Sequence, residues 1–210
     1  MKCILDKEKH VYKNETGIIV PSYSEIISAC NFTDWSKIPE FYRNRACDLG
    51  SAVHSLTEFY DRLTYPDNEG RTQQYAESLQ KWLFEKYQLE VDLSRYLNQW
   101  VTFLEEYKIE KFDYIEEAFA SEKYFYATTI DRFYKHGIYD IKTGGKYNTH
   151  KLQTAAQCCA MLENNIKVHK RYNVYLKEDS YEVEEHRDND DLNKWETCVN
   201  FYNLKKVMTK

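Results

Sequence analysis

Two aspartates and a lysine between positions 131 and 142 have the side-chain types that hydrolyse phosphodiester bonds with the help of a metal ion. Asp140 and Lys142 are two residues apart, so on a β-strand they face the same side. If residues 128–134 and 137–143 form adjacent strands, Asp131 and Asp140 approach each other closely. Phosphodiester hydrolysis needs hard oxygen ligands for a metal ion, a water molecule and a fixed positive charge. These three residues supply the ligands and the charge.

An acid two residues before a lysine is also common on a solvated strand face, so the spacing alone does not establish a site. Here the apolar residues Ile138, Tyr139 and Ile141 surround the pair and are typical of a buried strand. Unpaired charge is costly in such surroundings. We therefore expect Asp140 and Lys142 to have a partner or a chemical role.

Four sequence blocks follow one another along about half of the chain. They are 50–58 (GSAVHSLTE), 129–132 (TIDR), 140–144 (DIKTG) and 153–157 (QTAAQ). In this order they resemble the Gly-x-x-x-His, Gly-x-x-Asp-Arg, Asp-x-Lys-Thr-Gly and Gln-x-x-x-Tyr motifs of the PD-(D/E)XK nuclease superfamily, in its RecB-like and phage exonuclease branch. Thr128 and Thr129 stand where glycine is usual, and Gln157 replaces the tyrosine. Neither departure touches an expected metal ligand, so the resemblance favours an active nuclease.

The resemblance implies a role for each matching residue. The catalytic residues are Asp131, Asp140, Lys142 and Gln153, and the metal ligands are His54, Asp131, Asp140 and Ile141. Ile141 would contribute its backbone carbonyl and His54 a ring nitrogen. Lys142 would position or deprotonate the attacking water, and Gln153 would reach that water or a DNA phosphate. The implied metal is Mg²⁺ or Mn²⁺, and no iron–sulfur cluster is expected, because the C-terminal region offers only Cys198 as a thiol.

Alternatives stay open for two glutamates. Glu58 lies one helical turn after His54, where it is either a second-shell partner of that histidine or an exposed helix acid. Glu117 either joins the acidic cluster or lies on the solvated face of a strand. The residues expected to contact DNA are Arg132, Lys146, Lys151 and Gln153.

Length and composition set outer limits on the fold and the function. The chain has 210 residues and a formal charge of -5, which argues against a protein that coats nucleic acid indiscriminately. No apolar run is long enough to span a membrane, and the first residues lack the apolar core of a secretory signal. We therefore expect a cytoplasmic protein, in the host cytoplasm if a phage encodes it. Six scattered cysteines are expected to be reduced thiols.

The expected fold class is α/β, with a central mixed β-sheet flanked by helices, a restriction-endonuclease-like core and a helical N-terminal half. Apolar periodicity predicts helices at 22–30, 38–63, 73–87, 93–107, 151–163 and 191–208. It predicts strands at 114–121, 124–134, 137–143, 168–176 and 180–185. One nuclease domain would cover 1–210, with a helical part to about 110, a catalytic core at about 111–185 and a closing helix at about 190–208.

The sequence as a whole favours a metal-dependent DNA nuclease, most of all an exodeoxyribonuclease of phage or mobile-element recombination and repair. One alternative is a structure-specific or restriction-type endonuclease, because the catalytic residues do not determine whether a DNA end is needed. Another is a catalytically weak DNA-binding or assembly subunit with the same fold. The expected partner is DNA, and the resemblance to the nuclease family also suggests a single-strand annealing protein. A homo-oligomer is left open, and no association with a membrane is expected.

Overall fold

Eight strands and six helices follow one another in the part of the chain that the computed structural model describes, residues 3–6, 9, 11–32, 37–63 and 69–209, with only the backbone described for 69–76. The strands are β1 (Cys3–Asp6), β2 (Val11–Asn14), β3 (Ile19–Val20), β4 (Tyr114–Ser121), β5 (Tyr126–Tyr134), β6 (Gly137–Lys142), β7 (Lys170–Leu176) and β8 (Tyr181–Glu185). The helices are α1 (Tyr23–Cys30), α2 (Glu40–Leu63), α3 (Glu69–Tyr87), α4 (Leu93–Glu106), α5 (Asn148–Glu163) and α6 (Asp190–Met208).

A five-stranded mixed sheet with the order β4-β5-β6-β7-β8 forms the centre of the molecule. Strands β6 and β7 are parallel, and the other neighbours are antiparallel. A parallel neighbour requires a crossover connection, which α5 provides. The expected mixed α/β class is therefore confirmed.

Helices cover both faces of this sheet. On one face, Trp100 and Phe103 of α4 and Leu56 of α2 pack in one apolar cluster with Ile141 of β6. On the other face, α1, α5 and α6 pack together in a second cluster that includes Trp195. Because both faces are covered, the central strands are apolar along most of their length, and polar residues in them need internal partners.

The N-terminal part differs from the expected helical half. Residues before α1 form a separate three-stranded antiparallel sheet, in the order β1-β2-β3, which packs on β4 and β5 through Tyr12 and Val20. The turn between β2 and β3 is held by the Asn14 side chain, which accepts the backbone amide of Ile18 at 2.8 Å, and by Gly17 at a φ of 80°. Strands of two to four residues are too short to show a clear sequence period.

None of the helices in the described ranges combines the length and the apolar character that crossing a membrane demands.

A buried ion pair joins α2 to β5. Arg132 is fully buried, and its Nε donates a hydrogen bond to Asp61 of α2. Trp100 donates to the same carboxylate at 2.9 Å, and Thr57 accepts from the guanidinium at 3.1 Å. The guanidinium also lies 5.7 Å from the ring centre of Trp100. Each polar group of the pair is thus satisfied, which burial of two charges requires.

Replacing Asp61 with alanine should lower the free energy of unfolding by about 3–5 kcal/mol, because the buried guanidinium of Arg132 loses one of its two charged partners. Chemical denaturation followed by circular dichroism measures this loss. Glu90→Ala is the matched control, since Glu90 pairs with Arg45 at the surface and its removal should cost at most about 1 kcal/mol. Equal losses in the two variants would contradict a structural role for the buried pair.

Candidate functional site

The candidate site lies where β5 and β6 separate. Their pairing runs from Tyr134↔Gly137 to Arg132↔Tyr139 and ends before Asp131. Beyond that point, the Asp131 carboxylate accepts the backbone amide of Ile141 at 2.7 Å. The Asp131 side chain thus satisfies the buried amide of Ile141 where the pairing of β5 with β6 ends. The same hydrogen bond fixes the Asp131 carboxylate beside β6.

Three side chains from three elements converge here. His54 comes from α2, Glu116 from β4 and Asp131 from β5, and one ligand atom of each lies within 4.8 Å of the other two. The His54 Nδ1 is 3.3 Å from Glu116 Oε1, and Nε2 is 3.8 Å from Asp131 Oδ2. The carbonyl oxygen of Ile141 lies 3.1 Å from the same Nε2. Two carboxylates and one carbonyl oxygen therefore surround the imidazole ring of His54.

Burial and neighbouring charges alter the pKa values of this group. Burial alone would lower the pKa of His54, but the negative charges of Asp131 and Glu116 outweigh it and raise that pKa to about 9. The pKa of Asp131 is raised to about 7, mainly by burial; the charge of His54 opposes this shift, and the charge of Asp140 adds to it. Burial also acts on Glu116, yet His54 and Arg132 hold its pKa below the ordinary value. The two neighbouring acids thus favour the protonated form of His54.

Glu116, rather than Glu117, lies in the acidic cluster. Membership of this cluster was one of the two alternatives left open for Glu117. Glu116 has a φ of 48°, in the left-handed region, although it lies within a strand. This reverses the expected alternation, so its carboxylate contacts His54 and Arg132. Glu117 is exposed and lines a small pocket with Ile4, so the structure favours the solvated-face alternative for it.

Asp140 is fully buried and lies outside the cluster of His54, Glu116 and Asp131. Its Oδ1 accepts from Gln157 at 3.1 Å, and its Oδ2 accepts from Asn173 at 2.7 Å and also pairs with Lys142. The structure therefore brings Asp140 together with Lys142, as expected, and its carboxylate does not belong to the group formed by His54, Glu116 and Asp131. Three donors hold its carboxylate on the α5 side of the sheet.

Lys142 and Gln153 lie side by side. The Lys142 Nζ donates to the Gln153 Oε1 at 3.1 Å, so the lysine is held by an amide and by Asp140. Lys142 and His54 both line one cleft between α2 and the loop after β6. The lysine and the histidine of the cluster therefore face the same space.

The structure corrects one expected DNA contact. Arg132 was expected to contact DNA, but its guanidinium is fully buried and engaged by Asp61 and Glu116, so it cannot reach a nucleic acid. Glu58, for which two roles were open, is only 22% exposed and pairs with Arg62 at 3.0 Å, one turn further along α2, so both roles stay open.

Besides Gln153, two more of the proposed DNA contacts lie near the cleft. Lys146 is half exposed, pairs with Glu182 at 3.0 Å and lies over the ring of Tyr175. Lys151 is partly buried in the first turns of α5, where its carbonyl accepts from Thr154. Lys146 lies in the loop after β6, and Lys151 lies in the helix that follows this loop.

Sequence reasoning missed Asn173 and His186. Asn173 lies directly beside Asp140 in the parallel β6–β7 pairing, and its side-chain oxygen contacts the Nε2 of His186. The available signal was a single amide within the otherwise apolar run 172–176 (YNVYL), because a polar residue in a central strand needs a partner. Its partner depends on the register, which the sequence alone does not fix.

The donor set suits a divalent cation. Carboxylate and carbonyl oxygens are ligands that Mg²⁺ and Mn²⁺ prefer, and an imidazole nitrogen shifts the preference towards Mn²⁺. His54, Glu116, Asp131 and the Ile141 carbonyl could hold such an ion, which would replace the positive charge now provided by the His54 ring. Binding would therefore displace the His54 proton.

Comparison with known proteins adds no assignment: no protein-family model matches the chain, and neither does any curated protein.

Glu116→Gln should weaken Mn²⁺ binding by about tenfold or more, because it removes one anionic ligand and keeps the shape of the side chain. Isothermal titration with Mn²⁺ measures the change. Glu117→Gln makes the same chemical change at the adjacent, exposed position and should bind Mn²⁺ as the wild type does. An unchanged affinity in Glu116→Gln, or an equal loss in both variants, would rule out the cluster as the ion-binding site.

Proposed function

We propose that the protein is a Mg²⁺- or Mn²⁺-dependent DNA nuclease of the PD-(D/E)XK superfamily, with a restriction-endonuclease-like core. The observation that carries the proposal is that His54, which lies within 4.8 Å of Glu116 and Asp131 in a possible cation site, lines the same cleft as Lys142. A cation site beside a fixed lysine is what hydrolysis of a phosphodiester requires.

The resemblance of the four sequence blocks supports the same proposal. His54, Asp131 and Lys142 come from three of these blocks and meet at one end of the sheet, and Gln153 from the fourth contacts Lys142. Distant sequence positions thus converge in the arrangement that a shared active site needs. The proposed class is an exodeoxyribonuclease of phage or mobile-element recombination and repair, acting on DNA.

The roles of the ligands follow from their positions. His54, Glu116, Asp131 and the carbonyl of Ile141 would hold the cation. When bound, the cation would supply Lewis acidity towards the phosphate and make a water molecule more acidic. The hydrogen bond from the Ile141 amide keeps the Asp131 carboxylate in place before any ion binds.

Lys142 acts on the water and the phosphate. An ammonium group only donates hydrogen bonds, so Lys142 orients a water molecule by donating to a lone pair of the water oxygen. The same charge stabilises the negative charge that develops on the phosphate. Gln153 and Asp140 fix the position of its Nζ, so little reorganisation is needed during the reaction. Asp140 is assigned as a metal ligand by the resemblance, but its contacts give it the role of holding Lys142, and the proposed mechanism uses that role.

Lys142→Ala should reduce cleavage of linear DNA by about 10²–10⁴-fold, because the group that orients the water is lost. Wild type and variant are incubated with linear double-stranded, linear single-stranded and covalently closed DNA in Mg²⁺ or Mn²⁺. Lys111→Ala, at an exposed position before β4, is the control and should cleave normally. Mn²⁺ binding should persist in Lys142→Ala, since Lys142 is not a ligand.

The substrates separate the alternatives. Degradation of linear DNA alone supports an exonuclease. Cutting of closed circles would instead assign the protein as an endonuclease that uses the same site. Absence of Lys142-dependent cleavage on every substrate would overturn the nuclease proposal and favour a DNA-binding or assembly subunit.

A further inference from the structure

The cleft that contains Lys142 and His54 extends well beyond these two residues. It has a volume of about 760 Å³ and runs between the N-terminal half of α2 and the segment from Thr143 to His150. This volume is typical of a pocket for a small organic ligand. The space is therefore suited to a few nucleotide units of one strand and too small for a double helix.

Each wall of the cleft presents an aromatic ring. Tyr42 on the α2 wall is 65% exposed, and Tyr147 on the opposite loop is 42% exposed. The Tyr147 ring meets His150 edge to face at a centroid distance of 5.4 Å, which fixes its orientation. Exposed planar rings beside a catalytic group are suitable surfaces for stacking of nucleobases.

The charge of the cleft differs from that of the whole chain. The chain carries a formal charge of -5, whereas the described cleft lining contains Arg43 and Lys142 and only one acid, Glu40. A locally cationic lining in an acidic protein is complementary to a phosphate backbone.

Two glycines of the cleft lining, Gly144 and Gly145, leave room for the sugar-phosphate backbone of a nucleic acid to approach the loop closely. A Cβ atom added at Gly144 would meet no heavy atom within 4 Å, and one added at Gly145 would meet only the Tyr147 ring, at 3.9 Å. The absence of side chains at both positions leaves the main chain accessible between Lys142 and Tyr147. Phosphate groups can then lie against the loop while bases reach the rings.

We propose that the substrate strand enters this cleft unpaired, with bases stacked on Tyr42 and Tyr147 and phosphates beside Arg43 and Lys142, so that the preferred substrate is single-stranded DNA or a frayed end. This inference rests on the proposed nuclease function, which it deepens. In a duplex the base faces are stacked on one another and are not accessible to tyrosine rings. Stacking therefore selects an unpaired strand and is tolerant of sequence.

Binding is tested without catalysis, by fluorescence anisotropy of a labelled oligothymidylate and of a labelled blunt duplex in the presence of EDTA. The wild type should bind the oligothymidylate more tightly than the duplex. Tyr42→Ala and Tyr147→Ala should each weaken oligothymidylate binding by about tenfold. Tyr42→Phe and Tyr147→Phe keep the ring and should retain the wild-type affinity.

Phe201→Ala is the matched control, because it removes a ring of 48% exposure from α6, outside the cleft lining, and should leave binding unchanged. Equal affinity for duplex and single strand, or tyrosine variants that bind normally, would overturn the inference. Cleavage of the same DNA in Mn²⁺ separates the two proposals. Lys142-dependent cleavage that prefers duplex DNA would overturn only the unpaired-strand inference, and absence of cleavage with tyrosine-dependent binding would overturn only the nuclease proposal.

Discussion

The burial of one guanidinium group is the constraint on which the candidate site depends. Arg132 follows Asp131 directly in β5, and its side chain reaches Asp61 on α2 and Glu116 on β4. These contacts fix the distance between α2, which carries His54, and the two strands that carry the acids. A charge with no access to solvent must keep its partners, so the geometry of the cluster is enforced by the cost of breaking the ion pairs. An arginine that seemed suited to DNA contact thus acts as the support of the site.

The same constraint explains the unusual backbone of Glu116. A left-handed conformation at a residue other than glycine costs roughly 1–3 kcal/mol, and such residues persist where the surroundings determine them fully. Glu116 is held by Arg132 on one side and His54 on the other. The strained turn within β4 is therefore stabilised by the two contacts that bring its carboxylate into the cluster.

Local patterns made the central elements of the fold predictable. Strands β5, β6 and β7 and the main helices could be assigned from apolar period and length, and the neighbourhood of Lys142 and Gln153 follows from a strand leading into a helix. The start of α5 was placed three residues late, because the residue before Asn148 is Tyr147, which offers no side-chain cap. Boundaries depend on caps, and this helix lacks the usual signal.

Contacts between distant positions were not predictable from local patterns. Asp61 and Arg132 are 71 positions apart, and nothing in the sequence near either residue identifies the other as its partner. Asn173 meets Asp140 only because β6 and β7 pair in one particular parallel register. Glu116 could not be preferred over Glu117, because alternation assumes a regular strand and the left-handed residue breaks it.

Strand β6 contributes to the apolar core, to the possible cation site and to the ion pair of Lys142, through its two faces and its backbone. The side chain of Ile141 lies in the apolar cluster with α2 and α4, which anchors the strand. Its carbonyl lies 3.1 Å from His54, and its amide holds Asp131. The residues on either side, Asp140 and Lys142, point towards α5 and form their own ion pair. The Ile141 carbonyl and Lys142 are thus neighbours on one strand, and the packing of the Ile141 side chain in the apolar cluster holds both in place.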